Sequence, residues 1–428
     1  MSKTERTQKT MFMSKFSVVV IGGGPAGISA AISASVDGAS VLLVDKDIRL
    51  GGTLKQAIHD GFGLLRYDER LAGPEYAFRD ISTLEKTNTF VMLQTFVSRI
   101  VRIGNTFQLT LCNRHGIISV EARSIILATG CIERTAKQLS IHGSNPAGVM
   151  TAGAAQYYMN ILGQLPAKNA IILGSSDPGL VMARRLTLEG SRVSGIYEPK
   201  QAPEGSLMNV SLCINDFKVP LHFEHTVTYV SGVQRLKGLV VSRVDKNTNP
   251  ITGTEKVVKC DTLLLAAGLT PDTGLADSLG VPVSTITNGP ICDQNNMTLI
   301  DGVFCCGNAL HINGMVDYIS ESGEIAGRSA ARYIERERHL VEIQTSKDFL
   351  YSVPQYIDFD MQRGETTILF RAQNIRENVN VKVYVDNKEI FSQEFLTLRP
   401  QEAKRIVVDF IPILSPESRV ELKMEEIK

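Results

Sequence analysis

Neither charge is in excess in the 428 residues: Lys plus Arg number 45 and Asp plus Glu number 45. Without a basic or acidic balance there is no bulk electrostatic pull toward nucleic acid or an anionic membrane, so neither is expected as a partner. No apolar run approaches the ~18 residues needed to span a bilayer. Residues 1–15, MSKTERTQKTMFMSK, lack the hydrophobic segment of a secretory signal. They read as a disordered leader in which Met11 or Met13 is an alternative start. Seven cysteines fall at 112, 131, 213, 260, 292, 305 and 306, and none makes a CxxC pair, a CxxxxC pair or a zinc or iron–sulfur spacing. No metal centre is expected, and scattered thiols in a chain this long point to reduced cysteines and a cytoplasmic compartment. Cys305 and Cys306 read as small core residues rather than a redox pair.

The chain does contain, at residues 16–45, a phosphate-binding βαβ unit, FSVVVIGGGPAGISAAISASVDGASVLLVD. Residues 18–21 are a short buried strand, and the turn that follows has the spacing GxGxxG at Gly22, Gly24 and Gly27. The first glycine permits the tight turn, the second lets the backbone approach a pyrophosphate, and the third lets helix and strand pack closely. Pro25 and Ala26 open an alanine-rich helix whose free N–H groups face the phosphates. A second strand, 41–44, ends in Asp45, where a carboxylate reaches the adenosine ribose hydroxyls, with Lys46 beside it. After Asp45, Gly52 and Thr53 form another glycine turn. Residues 90–128 read as a small antiparallel meander that returns to the parallel sheet and ends in the turn Ala128, Thr129, Gly130.

The same grammar recurs about one domain length later. Residues 170–173 are a strand, Gly174 to Gly179 the turn, 180–189 the helix and 192–197 a strand that ends in Glu198. Ser176 stands where the middle glycine would be, a small residue that still permits close approach. Glu198 accepts hydrogen bonds from a ribose 2′-hydroxyl and repels a 2′-phosphate, so NAD is favoured over NADP. Strands from 219 to 266 close this unit on Gly268. The first domain resumes near Gly289, with a strand at 301–306, a turn at Gly307 and Asn308, and a helix at 317–335 whose Ile319, Ile325, Ala326, Ala330 and Tyr333 face a core. The expected domains are a leader at 1–15, a first nucleotide domain at 16–150 and 289–338, a second at 151–288, a linker at 339–352 and an alternating β-rich domain at 353–428.

Two βαβ cradles, the first domain interrupted by the second, an ATG turn between them and a GVFxCGN turn near the end resemble the pyridine nucleotide–disulfide oxidoreductase superfamily. The likeness runs over residues 16–338. Within it, GGTLKQAIHDGFGL, LATGCIER, NPAGVMTAGAAQ, GLVMARRLTLEG and GNALHINGMVDYISESGEIAGRSAA look like the FAD subunit of multi-subunit dehydrogenases. That group includes relatives of sarcosine oxidase alpha, opine oxidase, dye-linked proline dehydrogenase and hydrogen cyanide synthase subunits. The chain is most similar to the branch associated with a glycerol-3-phosphate dehydrogenase-like flavoprotein and a small cysteine-rich protein, which also carries the β tail.

The resemblance implies an α/β fold with two Rossmann-like FAD/NAD(P)-binding domains, each a three-layer ββα sandwich. The second is inserted in the first, and a small C-terminal antiparallel β domain follows. It implies that Gly22, Gly24, Gly27 and Asp45 hold the ADP half of FAD, with Gly52 and Thr53 beside the flavin. Val97 meets adenine through its backbone, Thr129 and Gly130 lie against the nucleotide, and Gly307 and Asn308 meet the ribityl and phosphate end. Asn308 stands where the superfamily usually has Asp. Gly174, Ser176, Gly179, Glu198 and Gly268 are the implied NAD set. The branch carries Cys where this chain has Ala57, so thiol chemistry at that position is absent, as is the cysteine pair of the disulfide-reducing relatives.

The implied function is an FAD-dependent oxidoreductase exchanging electrons between NAD(H) and a partner redox subunit or small-molecule substrate, as one subunit of a heteromeric dehydrogenase whose implied partners are a second flavoprotein dehydrogenase subunit and a small cysteine-rich protein. Hydride transfer between two cofactors asks the protein mainly for alignment. A helix N-terminus at Asp317 is suited to stabilise negative charge on the reduced flavin. His59 and His311 are the candidates for a proton transfer, although each reads more readily as a buried, hydrogen-bonded structural histidine. Two alternatives stay open: a self-contained NADH oxidase or amine or hydroxy-acid dehydrogenase, and a catalytically degenerate flavoprotein kept as an assembly subunit.

Overall fold

The computed structural model describes residues 14–361, 365–410 and 415–427. Packing divides the chain into one unit of Met1–Lys55, Asp60–Cys131 and Pro271–Lys428 and a second of Gln56–His59 and Ile132–Thr270. Most of the expected leader, 1–13, lies outside the described residues. Lys15, placed in that leader, already begins the first strand.

In the first unit, β1 (Lys15–Ile21), α1 (Pro25–Val36) and β2 (Val41–Val44) form the anticipated βαβ unit. They are followed by α2 (Gly73–Leu84), β3 (Phe90–Met92), β4 (Phe96–Ile103), β5 (Thr106–Asn113) and β6 (Gly116–Leu127). The strand order is β3-β2-β1-β6-β5-β4. β1 is parallel to β2 on one side and to β6 on the other. With both faces covered, residues 18–21 are continuously apolar. The reading of 90–128 as one meander needs correction. Residues 90–92 are instead a parallel edge strand on β2. Gln94, at φ 50, breaks the run, and the N–H groups of Gln94 and Thr95 donate to the carbonyls of Asp47 and Asp45. Only β4, β5 and β6 run antiparallel. Side chains alternate across the sheet: Val18, Val20 and Ile126 pack on α1, while Val19, Ile21 and Ile125 pack on the β4-β5 layer.

The second unit repeats this plan with β7 (Val149–Thr151), α3 (Ala152–Asn160), β8 (Asn169–Leu173), α4 (Asp177–Leu188), β9 (Arg192–Glu198) and β10 (Leu221–Phe223). Three antiparallel strands, β11 (His225–Gly232), β12 (Leu236–Arg243) and β13 (Lys256–Val258), precede β14 (Thr262–Leu265). The parallel sheet has the order β7-β14-β8-β9-β10. Ala170 and Ile172 face the helices, and Ile171 and Leu173 face the antiparallel layer. The unit spans 132–270, whereas the sequence pattern places its limits at 151 and 288.

The chain then returns to the first unit. β15 (Val303–Cys305) pairs parallel with β6, and α5 (Val316–Ala331) lies on α1. The helix is shorter than the expected 317–335, and Ile325 is only half-buried. The contact is made by small residues instead. A Cβ on Gly323 would stand 2.1 Å from the Ala26 carbonyl oxygen, and one on Gly327 2.2 Å from that of Ala30.

The expected linker at 339–352 is also corrected: it contains β16 (Leu340–Thr345) and β17 (Phe349–Val353). Val341 and Ile343 are buried, but two apolar positions in a charged stretch are too short a pattern to stand out in sequence. β18 (Tyr356–Asp358), β19 (Glu365–Ala372), β20 (Arg376–Val385), β21 (Lys388–Leu398), β22 (Lys404–Asp409) and β23 (Val420–Glu426) complete the C-terminal domain. Sheets of order β18-β16-β23-β20-β21 and β17-β19-β22 enclose one core.

The glycine seam yields a stability prediction. Gly323→Ala gains up to about 1 kcal/mol of helix propensity but overpacks a backbone contact, at about 1–3 kcal/mol or more. Urea unfolding is expected to show net destabilisation. Gly274→Ala, whose Cβ would meet only Asp272 Oδ1 at 3.8 Å, is expected to be near neutral.

Candidate functional site

The first cradle lies at the C-terminal ends of β1, β6 and β15. Gly22, at φ 112, ends β1, and a Cβ there would strike the Ala128 carbonyl oxygen at 2.2 Å. A Cβ on Gly27 would fall 1.7 Å from the Gly22 oxygen, so the third glycine is what lets α1 approach the turn. Gly24 is the N-cap of α1 and no side chain caps it, which leaves the helix N-terminus bare. Gly52 faces Gly24: a Cβ on Gly52 would lie 2.9 Å from the Gly24 Cα. The Gly51 N–H donates to the Gly23 carbonyl at 2.8 Å, so the two glycine turns are tied together. Gly307 packs on the same helix, its Cβ position 2.7 Å from Ala26 Cβ. The residues singled out as Gly22, Gly24, Pro25, Ala26, Gly27, Gly52, Thr129 and Gly307 therefore gather around the turn after β1 and the start of α1.

Asp45 braces this turn. One carboxylate oxygen accepts from Gly23 N–H and the other from Asp47 N–H at 2.7 Å. Lys46 is exposed. Val97 stands opposite Leu111 in the β4-β5 pair with its side chain in the core. Thr129 Oγ1 donates to the Asp272 carbonyl at 2.7 Å, and Asp272 N–H donates to the Gly130 carbonyl at 3.0 Å. Asn308 is engaged at both ends: its Oδ1 accepts from Asn313 N–H at 2.9 Å, and its Nδ2 lies 3.7 Å from Cys131 Sγ. An amide retains one further hydrogen and one further lone pair for a ligand.

The second cradle has the same shape. Gly174, at φ 93, is pressed on Ala266, and a Cβ on Gly179 would sit 2.6 Å from Ala266 Cβ. Gly268, at φ 103, follows β14. Ser176 does not obstruct the loop, because its hydroxyl turns back to the Ala266 carbonyl at 2.7 Å. Glu198 is buried and takes the N–H and hydroxyl of Ser175 on one oxygen, at 2.9 and 2.6 Å, and Lys200 N–H on the other at 2.9 Å. Burial raises its pKa against the pull of these bonds. Sequence reasoning missed Ser175, whose spacing carried no signal. It also missed residues 204–206, which lie over the loop. Glu204 N–H donates to Ser175 Oγ at 3.0 Å, and Ser206 N–H donates to Asp177 Oδ1 at 2.8 Å.

The two histidines differ in setting, and the His311 backbone N–H donates to the Gly307 carbonyl at 3.3 Å. His59 is half-buried in the short segment Gln56–His59, which Gln56 anchors to α3 through Gly153 and Asn160. His311 is buried against the C-terminal domain, 5.8 Å from the Tyr351 ring. Cys305 and Cys306 are fully buried on opposite core faces, and burial pushes the Cys306 thiol up to about 12. Among the described residues no cluster of His, Cys, Asp or Glu is arranged to hold a metal ion. Among them also, no helix is long and apolar enough to cross a membrane.

A family model described as pyridine nucleotide-disulphide oxidoreductase matches residues 16–332. The chain belongs to this family. An opine oxidase subunit of Agrobacterium tumefaciens is 25% identical over 360 residues, which is 79% of this chain and 69% of that protein. The HcnB subunit of hydrogen cyanide synthase from Pseudomonas aeruginosa is 27% identical over 397 residues, 83% of this chain and 81% of its own length. The T. acidophilum thioredoxin reductase structure shares the fold, with TM-score 0.61 at 21% identity, covering 74% of this chain and 98% of that one. As a pyridine nucleotide-disulphide oxidoreductase the chain is an oxidoreductase, and its family binds FAD and NAD(P). Two glycine cradles, each beside a helix N-terminus that no side chain caps, suit two dinucleotides.

The His311 environment has a testable pH consequence. Burial first, and then the Arg371 charge, lower its pKa from 6.5 to about 4. As pH falls from about 6.5 to about 4, the unfolded chain binds a proton that the folded chain refuses. The stabilising share of neutral His311 is therefore full above that window and lost within it. Between pH 7.5 and 5.5, wild type should lose roughly 1 kcal/mol more unfolding free energy than His311→Gln. Equal losses in urea melts would show that the imidazole titrates normally.

Proposed function

We propose that the chain is the FAD-bearing subunit of a heteromeric dehydrogenase, exchanging electrons between NAD(H) and a partner redox subunit or small-molecule substrate. The observation that carries this reading is a pair of glycine cradles in a chain whose sequence has no cysteine pair or cluster spacing to receive the electrons internally. The similar relatives are themselves named as subunits. A second flavoprotein dehydrogenase and a small cysteine-rich protein are the partners proposed. Seven scattered cysteines, none in a CxxC spacing, favour the cytoplasm as the compartment.

In this reading the bare N-terminus of α1 and the N–H groups of the 22–27 loop take the FAD diphosphate. Asp45 takes the adenosine ribose with Lys46 alongside, and the Val97 backbone borders adenine. Gly52, Thr53, Thr129, Gly130, Gly307 and Asn308 line the remainder, with the positive pole of α5 toward the flavin. FAD supplies the hydride and electron chemistry when bound. Gly174, Ser176, Gly179 and Gly268 form the NAD cradle. Glu198, held in place by Ser175, disfavours a 2′-phosphate. His311, neutral at neutral pH, is a spacer rather than a proton donor, and His59 is left as the proton-transfer candidate.

A second reading, a catalytically degenerate assembly subunit, is favoured by one specific feature. Asp177, in the first turn of α4, puts a carboxylate at the end of the helix that a diphosphate would use, and it is tied to Ser206 and Asn209. Anaerobic stopped-flow spectroscopy separates the two. NADH is expected to bleach the bound flavin at a catalytically useful rate, and NADPH roughly tenfold more slowly or worse. Stoichiometric FAD that ignores NADH would favour the degenerate reading. A chain that takes up no FAD would sink both.

A further inference from the structure

We propose that the outer face of the β17-β19-β22 sheet is a clamp on the loop that carries Asn308, with Arg371 as its positioning residue. This deepens the FAD reading and rests on it. Strand periodicity divides β19 between two tasks. Ile368, Phe370 and Ala372 enter the core of the C-terminal sandwich. Their alternates face the other way: Thr367 Oγ1 lies 3.3 Å from Glu321 on α5, Leu369 lines a cavity with His311 and Tyr318, and Arg371 Nη2 donates to the Ile312 carbonyl at 3.0 Å. The neighbouring strands do the same. On β17, Tyr351 sets its ring against His311, and Val353 joins the core that contains Ala309 and Leu310. On β22, the Arg405 guanidinium forks onto the Glu321 carboxylate.

The grip falls where it has most effect. Within the loop, Asn313 N–H donates to Asn308 Oδ1 at 2.9 Å, and Met315 N–H donates to Asn313 Oδ1 at 3.0 Å. Ile312 precedes the residue that joins these two bonds, so its carbonyl is a handle on both Asn308 and the first turn of α5. Gly307 N–H donates to Ser322 Oγ on α5 at 3.2 Å, which ties the beginning of the loop to the same helix. A sheet serving only as an outer docking surface would have no need to commit a half-buried arginine to this carbonyl. The C-terminal domain thus sets the position of the loop and helix end assigned to the flavin.

The test compares Arg371→Met and Arg371→Lys with Arg376→Met, whose guanidinium pairs with Asp348 inside the C-terminal domain. The readouts are the rate of FAD release on dilution and the shape of the flavin visible band. Loss of a charge-assisted hydrogen bond is expected to speed FAD release by roughly tenfold in Arg371→Met and to alter the band. Arg371→Lys should fall between, and Arg376→Met should match wild type. If Arg371→Met does not fold, the Arg371→Lys release rate decides. Wild-type kinetics in both Arg371 variants, or equal flavin loss in Arg376→Met, would overturn the clamp while leaving the FAD reading intact. A wild-type chain that binds no FAD would overturn the FAD reading and, with it, the clamp.

Discussion

Backbone contact between α1 and α5 sets the shape of the first cradle. Gly323 and Gly327 bring α5 so near that a single added carbon would meet the carbonyl oxygens of Ala26 and Ala30. Gly27 does the same for α1 against the turn after β1, and Gly307 for the loop against Ala26. Four surfaces therefore meet at distances only hydrogen side chains permit, and the helix N-terminus between them is left without a side-chain cap. A close-packed interior transmits such contacts rigidly, so one helix positions the other and both position the cradle.

Electrostatics in both cradles follow one pattern. An acid at the end of the second strand of each βαβ unit accepts hydrogen bonds from the glycine loop: Asp45 from Gly23, and Glu198 from Ser175. The acids brace the loops. Glu198 is held more deeply, and burial opposes its ionisation. Buried thiols carry little thiolate at neutral pH, which leaves Cys305 and Cys306 inert as nucleophiles.

The C-terminal domain belongs to the first unit in more than name. Arg338 reaches Asp293 and Asp301, Arg336 reaches Asp358 and Asp360, and Gln355 exchanges hydrogen bonds with the backbone of Cys292. Burial raises Asp293 to about 7 even beside Arg338, a measure of how thoroughly this junction excludes water. A domain joined this way is part of the scaffold of the first cradle.

Local pattern alone determined the two βαβ units, because each consists of neighbours in sequence: an apolar run, spaced glycines, an amphipathic helix and a closing acid. The alternation of the C-terminal strands was legible for the same reason, since period 2 is written along a single segment. Tertiary structure decided what depended on partners distant in the chain. Residues 340–345 became a strand because Val420 and Leu422 lie beside them. Residues 90–92 joined the parallel sheet because β2 offered an edge. The helix seam fell to Gly323 and Gly327 rather than to Ile325, because the opposing surface was backbone and no apolar periodicity records how near a carbonyl will come. His311 and Arg371 lie 60 positions apart, and only folding makes them neighbours.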